Sequence, residues 1–280
     1  MYTILYATDC SKNSISALNY AKNLCENLNA RLIIFHIYDI PPISTSNIRS
    51  VEQIHKLAYA EQKKILEAYC QKHMDENLSK NQLKYSVAQN ISVSKGIADK
   101  IKKEDIDMLV IGMKDAHSKR GFLSGNIANK LIDKNLCPIL IIPAGYNYKQ
   151  IKKMTYASDF ESSDIIALEK LAAIAESFDA KIDIVHIPTS EEYTAMQQME
   201  WFKELLEAQV TYKKIGFHMV LANSIEEGLR IHVKDEKADL LVMLERENKG
   251  IFARLFNKDM VKKMESLATI PILCYNSIRK

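Results

Sequence analysis

Short apolar runs near residues 3–8, 31–38, 83–91, 107–112 and 138–143 punctuate the first half of the chain. They are rich in Ile, Val, Leu and Tyr and show no strict alternation, the pattern of strands covered on both faces of a parallel sheet. Between them the period changes. From Ser14 to Leu28, the residues Ile15, Leu18, Ala21, Leu24, Cys25 and Leu28 fall at three- and four-residue spacing, which predicts a helix with one apolar face. A long helix over 48–77 and shorter ones over 97–105 and 124–135 complete the alternation. Strands alternating with helices of this length make βαβ units, and right-handed crossovers then predict a doubly wound open parallel α/β sheet.

The pattern occurs twice. Tyr6-Ala7-Thr8-Asp9 returns 150 residues later as Tyr156-Ala157-Ser158-Asp159, and Ala30 to Ile37 returns at the same offset as Ala180 to Ile187. Asp107-Met108-Leu109-Val110-Ile111 matches Asp239-Leu240-Leu241-Val242-Met243, now 132 residues on. Cys137-Pro138-Ile139-Leu140 then matches Ile270-Pro271-Ile272-Leu273. The shorter offset places a deletion in the middle of the second copy, where the long helix is trimmed to about 190–210. The reading is a tandem duplication with domains at 1–145 and 150–280, joined at Ala144-Gly145-Tyr146-Asn147-Tyr148.

Composition narrows the class. The 280 residues are 47% hydrophobic and 26% charged, with only 8 Gly and 6 Pro, which excludes general disorder and long linkers. A net charge of +3 arises from 38 basic and 35 acidic residues spread along the chain, not the concentrated basic face of a nucleic-acid binder. No apolar run reaches the roughly 20 residues that cross a bilayer, and Met1 opens directly on a strand rather than a signal peptide. The five cysteines, Cys10, Cys25, Cys70, Cys137 and Cys274, form no CxxC pair or zinc spacing. A cytoplasmic protein without nucleic-acid or membrane partners is expected.

Ligands of doubly wound sheets bind outside the carboxyl ends of the strands. Asp9 and Ser11 follow the first strand, His36 and Asp39 close the second, and Gly112 closes the fourth. From Gly112 a polar stretch containing Asp115, Gly121, Ser124, Gly125 and Asn126 leads into a helix, where glycines and a helix N-terminus would admit a phosphate. On these residues the chain resembles the universal stress proteins, as two UspA-type domains in one polypeptide. Ala7-Thr8-Asp9-Cys10-Ser11 is similar to the family's opening strand and loop, and the Asp-Met-Leu-Val-Ile-Gly strand with the final Cys-Pro-Ile-Leu strand is similar to its ending. The resemblance covers essentially the whole chain.

That resemblance implies an adenine-nucleotide alpha-hydrolase-like fold, with the two domains paired through their last strands as an intramolecular pseudo-dimer. Homodimerisation of chains stays open. It also implies a non-enzymatic stress-response module holding ATP or another adenine nucleotide, with or without Mg²⁺. Asp9, in the loop begun by Ala7 and Thr8, would bond the adenine or ribose side; Ile37 would pack beside the base; Gly112 and Gly125 would line the phosphates. Two positions depart from the family's Gly-x2-Gly-x9-Gly-Ser/Thr loop: Asp115 replaces the second glycine and Asn126 the hydroxyl residue. Ala128 also stands where a hydroxyl often contacts phosphate. A carboxylate about 4 Å from a phosphate charge opposes binding by roughly 4 kcal/mol at an effective dielectric near 20. Lys114, Lys119, Arg120 or Mg²⁺ would have to offset it, so binding in the first domain is expected to be weak.

The second copy is poorer. Leu244 stands opposite Gly112, Glu247 opposite Asp115, and Phe252, Leu255 and Phe256 crowd a loop whose one glycine is Gly250. No phosphate site is expected there. Two alternatives remain, a ligand-free regulatory scaffold acting through protein partners and a slow ATPase. The second lacks a P-loop or any adenylylation signature. His36 and His186 occupy matching strand ends but no catalytic motif gives them a partner. Cys10 reads as a small residue in a tight turn, and Cys70 with His73 as a surface coincidence. Met196, Met199, Trp201, Phe202, Leu205 and Leu206 read as a packing stripe. Lys149, Lys152 and Lys153, and Lys100, Lys102 and Lys103, read as solvated charge.

Overall fold

The computed structural model describes residues 1–40, 50–74, 82–113, 125–188, 194–245 and 270–276, except the side chains of residues 125 and 126. β1 (Thr3–Thr8) leads through a 3-10 turn, Lys12–Ser14, into α1 (Ile15–Asn27). Then come β2 (Arg31–Tyr38), α2 (Val51–His73), β3 (Leu83–Gln89) and α3 (Val93–Glu104). β4 (Met108–Gly112), α4 (Gly125–Ile132) and β5 (Ile139–Ile142) follow. The second half runs β6 (Lys153–Ala157), α5 (Ser163–Phe178), β7 (Lys181–His186), α6 (Ala195–Gln209) and β8 (Ile215–Met219). It ends with α7 (Ile225–Asp235), β9 (Leu240–Glu245) and β10 (Ile272–Asn276).

Two predicted helices differ at their starts because of caps. α3 begins four residues before its predicted start, since the Ser92 side chain accepts the Lys95 N–H and satisfies a donor of the first turn. α2 begins at Val51 rather than 48, behind a capping box in which Ser50 and Gln53 bond each other's backbone. Residues 189–193, the predicted start of α6, lie outside the described residues.

The chain forms two compact units, Met1–Cys137 with Ile142–Tyr148, and Pro138–Ile141 with Lys149–Lys280. In the first, the strand order β3-β2-β1-β4 is parallel throughout. In the second, β8-β7-β6-β9-β10 is likewise parallel, and Ile139–Ile141 of β5 pairs antiparallel with β10. The sequence reading placed those three residues in the first domain, and they group here with the second unit. Each sheet starts in its middle and winds outward both ways, the doubly wound α/β arrangement.

Burial explains the missing alternation. Every residue of β1 and β9 is buried, as for strands covered by helices on both faces, whereas the edge strands β3 and β8 are largely half-buried. Several local devices recur at the two sequence offsets. Left-handed backbone occurs at Cys10 (φ 57°) and Phe160 (φ 55°), at Asn29 and Asp179, and at Asp105 and Lys237. Asp107 accepts the Thr3 N–H at 2.7 Å, and Asp239 accepts the Lys152 and Lys153 N–H groups at 2.8 and 3.0 Å. Ser224 caps α7 as Ser92 caps α3.

Candidate functional site

The carboxyl edge of the first sheet is built on the loop after β1. Thr8 is its anchor. The Thr8 hydroxyl accepts the Cys10 N–H at 3.0 Å and donates to Ser14 Oγ at 3.0 Å. Ser14 Oγ in turn donates to the Ser11 carbonyl at 2.7 Å and lies 2.8 Å from the Tyr69 hydroxyl of α2. Tyr6 donates its hydroxyl to the Ser14 carbonyl at 2.6 Å. This buried net closes the turn and lets Cys10 hold its left-handed backbone. Asp9 is half-buried at the turn and accepts the Ser11 N–H at 2.9 Å, an Asx-type bond that orients its carboxylate.

Strand register sets what stands beside Asp9. Thr8 pairs with His36 and Ala7 with Ile111, so one residue onward Asp9 is level with Ile37, and Gly112 is level with Thr8. Ala7 itself is buried within the sheet. A Cβ on Gly112 would lie 3.2 Å from Ala17 Cβ, so this glycine lets β4 approach the start of α1. Gly125 and Asn126 form the first turn of α4. Asp115 lies outside the described residues, as do Lys114, Lys119 and Arg120.

Of the residues flanking this edge, the sequence reading names His36 but not Gly96. His36 donates Nδ1–H to the Thr8 carbonyl at 2.9 Å, with Nε2 3.1 Å from Gln62 of α2, so it fastens β2 to the end of β1. Gly96 at the head of α3 meets Ile37: a Cβ there would sit 2.9 Å from Ile37 Cδ1. The signal for Gly96 was available, because Ser92 and Gly96 return as Ser224 and Gly228 at the offset of 132. The Cys10 thiol is pushed up to about 12, first by burial and then by Asp9, so it is not a thiolate at neutral pH.

The second sheet ends differently at the same place. His186 donates to the Ser158 carbonyl at 2.8 Å, as His36 does to Thr8. At the position of Cys10 stands Phe160, buried, with its ring 4.8 Å from His186 and 5.5 Å from Phe202. At the position of Ser14 stands Asp164, fully buried. It accepts the Tyr156 hydroxyl at 2.9 Å, the Ser158 hydroxyl at 2.7 Å and the Glu161 N–H at 3.4 Å. Leu244, opposite Gly112, is buried. Glu247, Gly250, Phe252, Leu255 and Phe256 lie outside the described residues.

Besides Lys153, which is half-buried and paired with Glu236 rather than solvated, three sequence expectations are corrected. Cys70 is buried, not at the surface. Lys100 is nearly buried and bonded to Glu104 and Ser86 rather than solvated. The stripe on α6 is divided, with Phe202 and Leu206 buried while Met196 and Trp201 are exposed.

The universal stress protein family model matches residues 1–143, more than half of the chain. This chain belongs to the universal stress protein family. Solved structures with the same fold include a universal stress protein from Archaeoglobus fulgidus, 13% identical, covering 99% of this chain and 98% of that one with a TM-score of 0.67. A functionally unknown protein of Pseudomonas aeruginosa is 12% identical over 99% of this chain and 93% of its own, with a TM-score of 0.61. The cytoplasmic domain of a prokaryotic cation chloride cotransporter is 9% identical over 99% and 96%, with a TM-score of 0.58. At such identities the likeness is one of fold. No curated protein matches the chain. Within this universal stress protein, no described helix is long and apolar enough to cross a membrane.

Proposed function

We propose that this universal stress protein is a non-enzymatic stress-response module of two duplicated domains, the first of which holds an adenine nucleotide weakly at the carboxyl edge of β1, β2 and β4. The observation that carries the reading is the Asp9 turn. Its carboxylate is oriented by the Ser11 N–H, stands level with Ile37, and is fixed by the Thr8–Ser14–Tyr69 net beneath it. An oriented carboxylate beside an apolar residue suits a nucleoside, whose hydroxyl and amino groups donate while its base packs. Gly112, Asp115, Gly125 and Asn126 are assigned to the phosphate side. Mg²⁺, if it takes part, is proposed to accompany the phosphates. Duplication is supported by left-handed residues, caps and aspartate latches that recur at the same two offsets.

The test is titration of the purified protein with ATP, ADP and cyclic AMP, with and without Mg²⁺, beside Asp9→Ala and Asp115→Gly. Binding in the micromolar range or weaker is expected, falling about tenfold or more in Asp9→Ala, as loss of a charge-assisted hydrogen bond predicts. Asp115→Gly is expected to bind more tightly. No binding to either wild type or Asp115→Gly would overturn the nucleotide reading and favour a scaffold acting through protein partners. Turnover of ATP at about 10 per second, an ordinary enzyme rate, would overturn the non-enzymatic one.

A further inference from the structure

The second unit carries a buried polar cluster built from residues that differ from those at the matching positions of the first. Asp183 lies midway along β7, fully buried, and its Oδ1 is shared between Lys181 Nζ at 2.7 Å and His218 Nε2 at 2.9 Å. Gly216 on β8 makes the room, since a Cβ there would lie 2.9 Å from Asp183 Oδ1 and 3.3 Å from His218 Nε2. The His218 ring packs at 5.1 Å from that of His232 on α7. His232 is buried, and its Nε2 has no hydrogen-bond partner among the described residues.

Two carboxylates, Asp183 and Glu236, favour a proton on His232, but burial and the neighbouring His218 outweigh them; the second Asp183 oxygen, Oδ2, is buried with no hydrogen-bond partner among the described residues. Asp183 is committed to Lys181 and His218, and Glu236, one turn along α7, is committed to Lys153 of β6 at 2.6 Å. Lys153, Lys181, Asp183, His218 and Glu236 are the charged and titratable groups the described elements bring to this place. We propose that the second unit is an acid-responsive module, in which protonation of His232 beside His218 loosens α7 and the edge strand β8 while the first unit stays folded. This inference does not depend on nucleotide binding.

The direction follows from linkage. Burial, and then the neighbouring His218, lower the pKa of His232 below its ordinary value of about 6.5. The unfolded chain therefore takes up the proton first, and stability is lost as pH falls below about 6.5. Burial works to raise the Asp183 carboxyl, but bonds from Lys181 and His218 outweigh it and hold the carboxyl below the usual range. Asp183 thus stays charged through that window and is not the group that responds. In the first unit the same positions carry Ile33, Ser86 and Lys100. There Lys100 reaches Glu104 at 3.0 Å and Ser86 at 2.9 Å, and Lys84 also bonds Glu104. Hydrogen bonds from Lys84 and Lys100 lower the Glu104 carboxyl to about 2, so that cluster keeps its charges until the pH nears 2.

Hydrogen exchange of the full chain at pH 7.5 and 5.5, corrected for intrinsic rates, tests the proposal. Amides of 215–219 and 225–235 are expected to lose protection at pH 5.5 by up to about tenfold, the limit set by one pH unit below the ordinary histidine value of about 6.5. Amides of 83–89 and 93–104 are expected to keep theirs, and His232→Gln to abolish the difference between the two pH values. An NMR titration of the histidine rings in the wild-type chain gives a measurement that needs no variant. His232 titrating at or above 6.5, equal loss of protection in both units, or an unchanged pH response in His232→Gln would each overturn the proposal.

Discussion

Replacing Asp164 with alanine is expected to destabilise the second unit by about 3 kcal/mol, the cost of stranding buried donors that had a charged acceptor. Asp164 is fully buried in the first turn of α5, where its negative charge faces the positive end of the helix. Its two oxygens take the Tyr156 and Ser158 hydroxyls, and Ser158 in turn holds the Phe160 N–H at 2.9 Å. Alanine would leave two buried hydroxyls without their acceptor and slacken the turn after β6. Ser14→Ala, the matching change in the first unit, removes a neutral partner and is expected to cost about 1–2 kcal/mol. Urea unfolding followed by the fluorescence of Trp201, the single tryptophan and a residue of the second unit, reads the first loss directly. A shift below about 1 kcal/mol would mean that Tyr156 and Ser158 find other acceptors.

Phe160→Ala is expected to cost about 3–5 kcal/mol, the range for deleting a buried phenyl ring. The ring fills the space between His186 and Phe202, and the residue is held at φ 55°, where a side chain is unfavourable and glycine is not. Phe160→Gly should therefore be about 1 kcal/mol less damaging than Phe160→Ala despite losing one carbon more. Cys10 shares the backbone conformation but is only half-buried, so Cys10→Ala is expected to change stability by less than about 1 kcal/mol. The order Ala worse than Gly at 160, read from unfolding midpoints, separates the backbone contribution from the packing one. The reverse order would show that the ring's contacts, not the turn, set the conformation.

Much of this was legible in the residues. Apolar runs without alternation marked β1, β2, β4 and their counterparts because strands buried on both faces have no polar side to show. The two matched segments at the 150-residue offset point to recurrence, and Asp107 and Asp239 form the same latch at the two strand starts. The start of α3 was misplaced because a single serine at Ser92, not a hydrophobic period, decides where that helix begins. Lys100 was read as solvated because a lysine stem can lie along a buried surface while its ammonium finds a partner, and sequence spacing does not show the partner.

By itself, the order of residues determined the fold class and the strand ends at which Asp9, Ile37 and Gly112 stand, since these depend on period and local turn chemistry. Only the tertiary structure decided what those ends contain. It put Phe160 between His186 and Phe202, made Asp164 the buried acceptor of two hydroxyls, and drew Asp183, His218 and His232 from three elements into one cluster. Those meetings depend on strand register and helix packing across long stretches of chain. A substitution from Ser14 to Asp164, or from Lys100 to His232, leaves the hydrophobic pattern almost untouched while changing which charge is buried and what answers it.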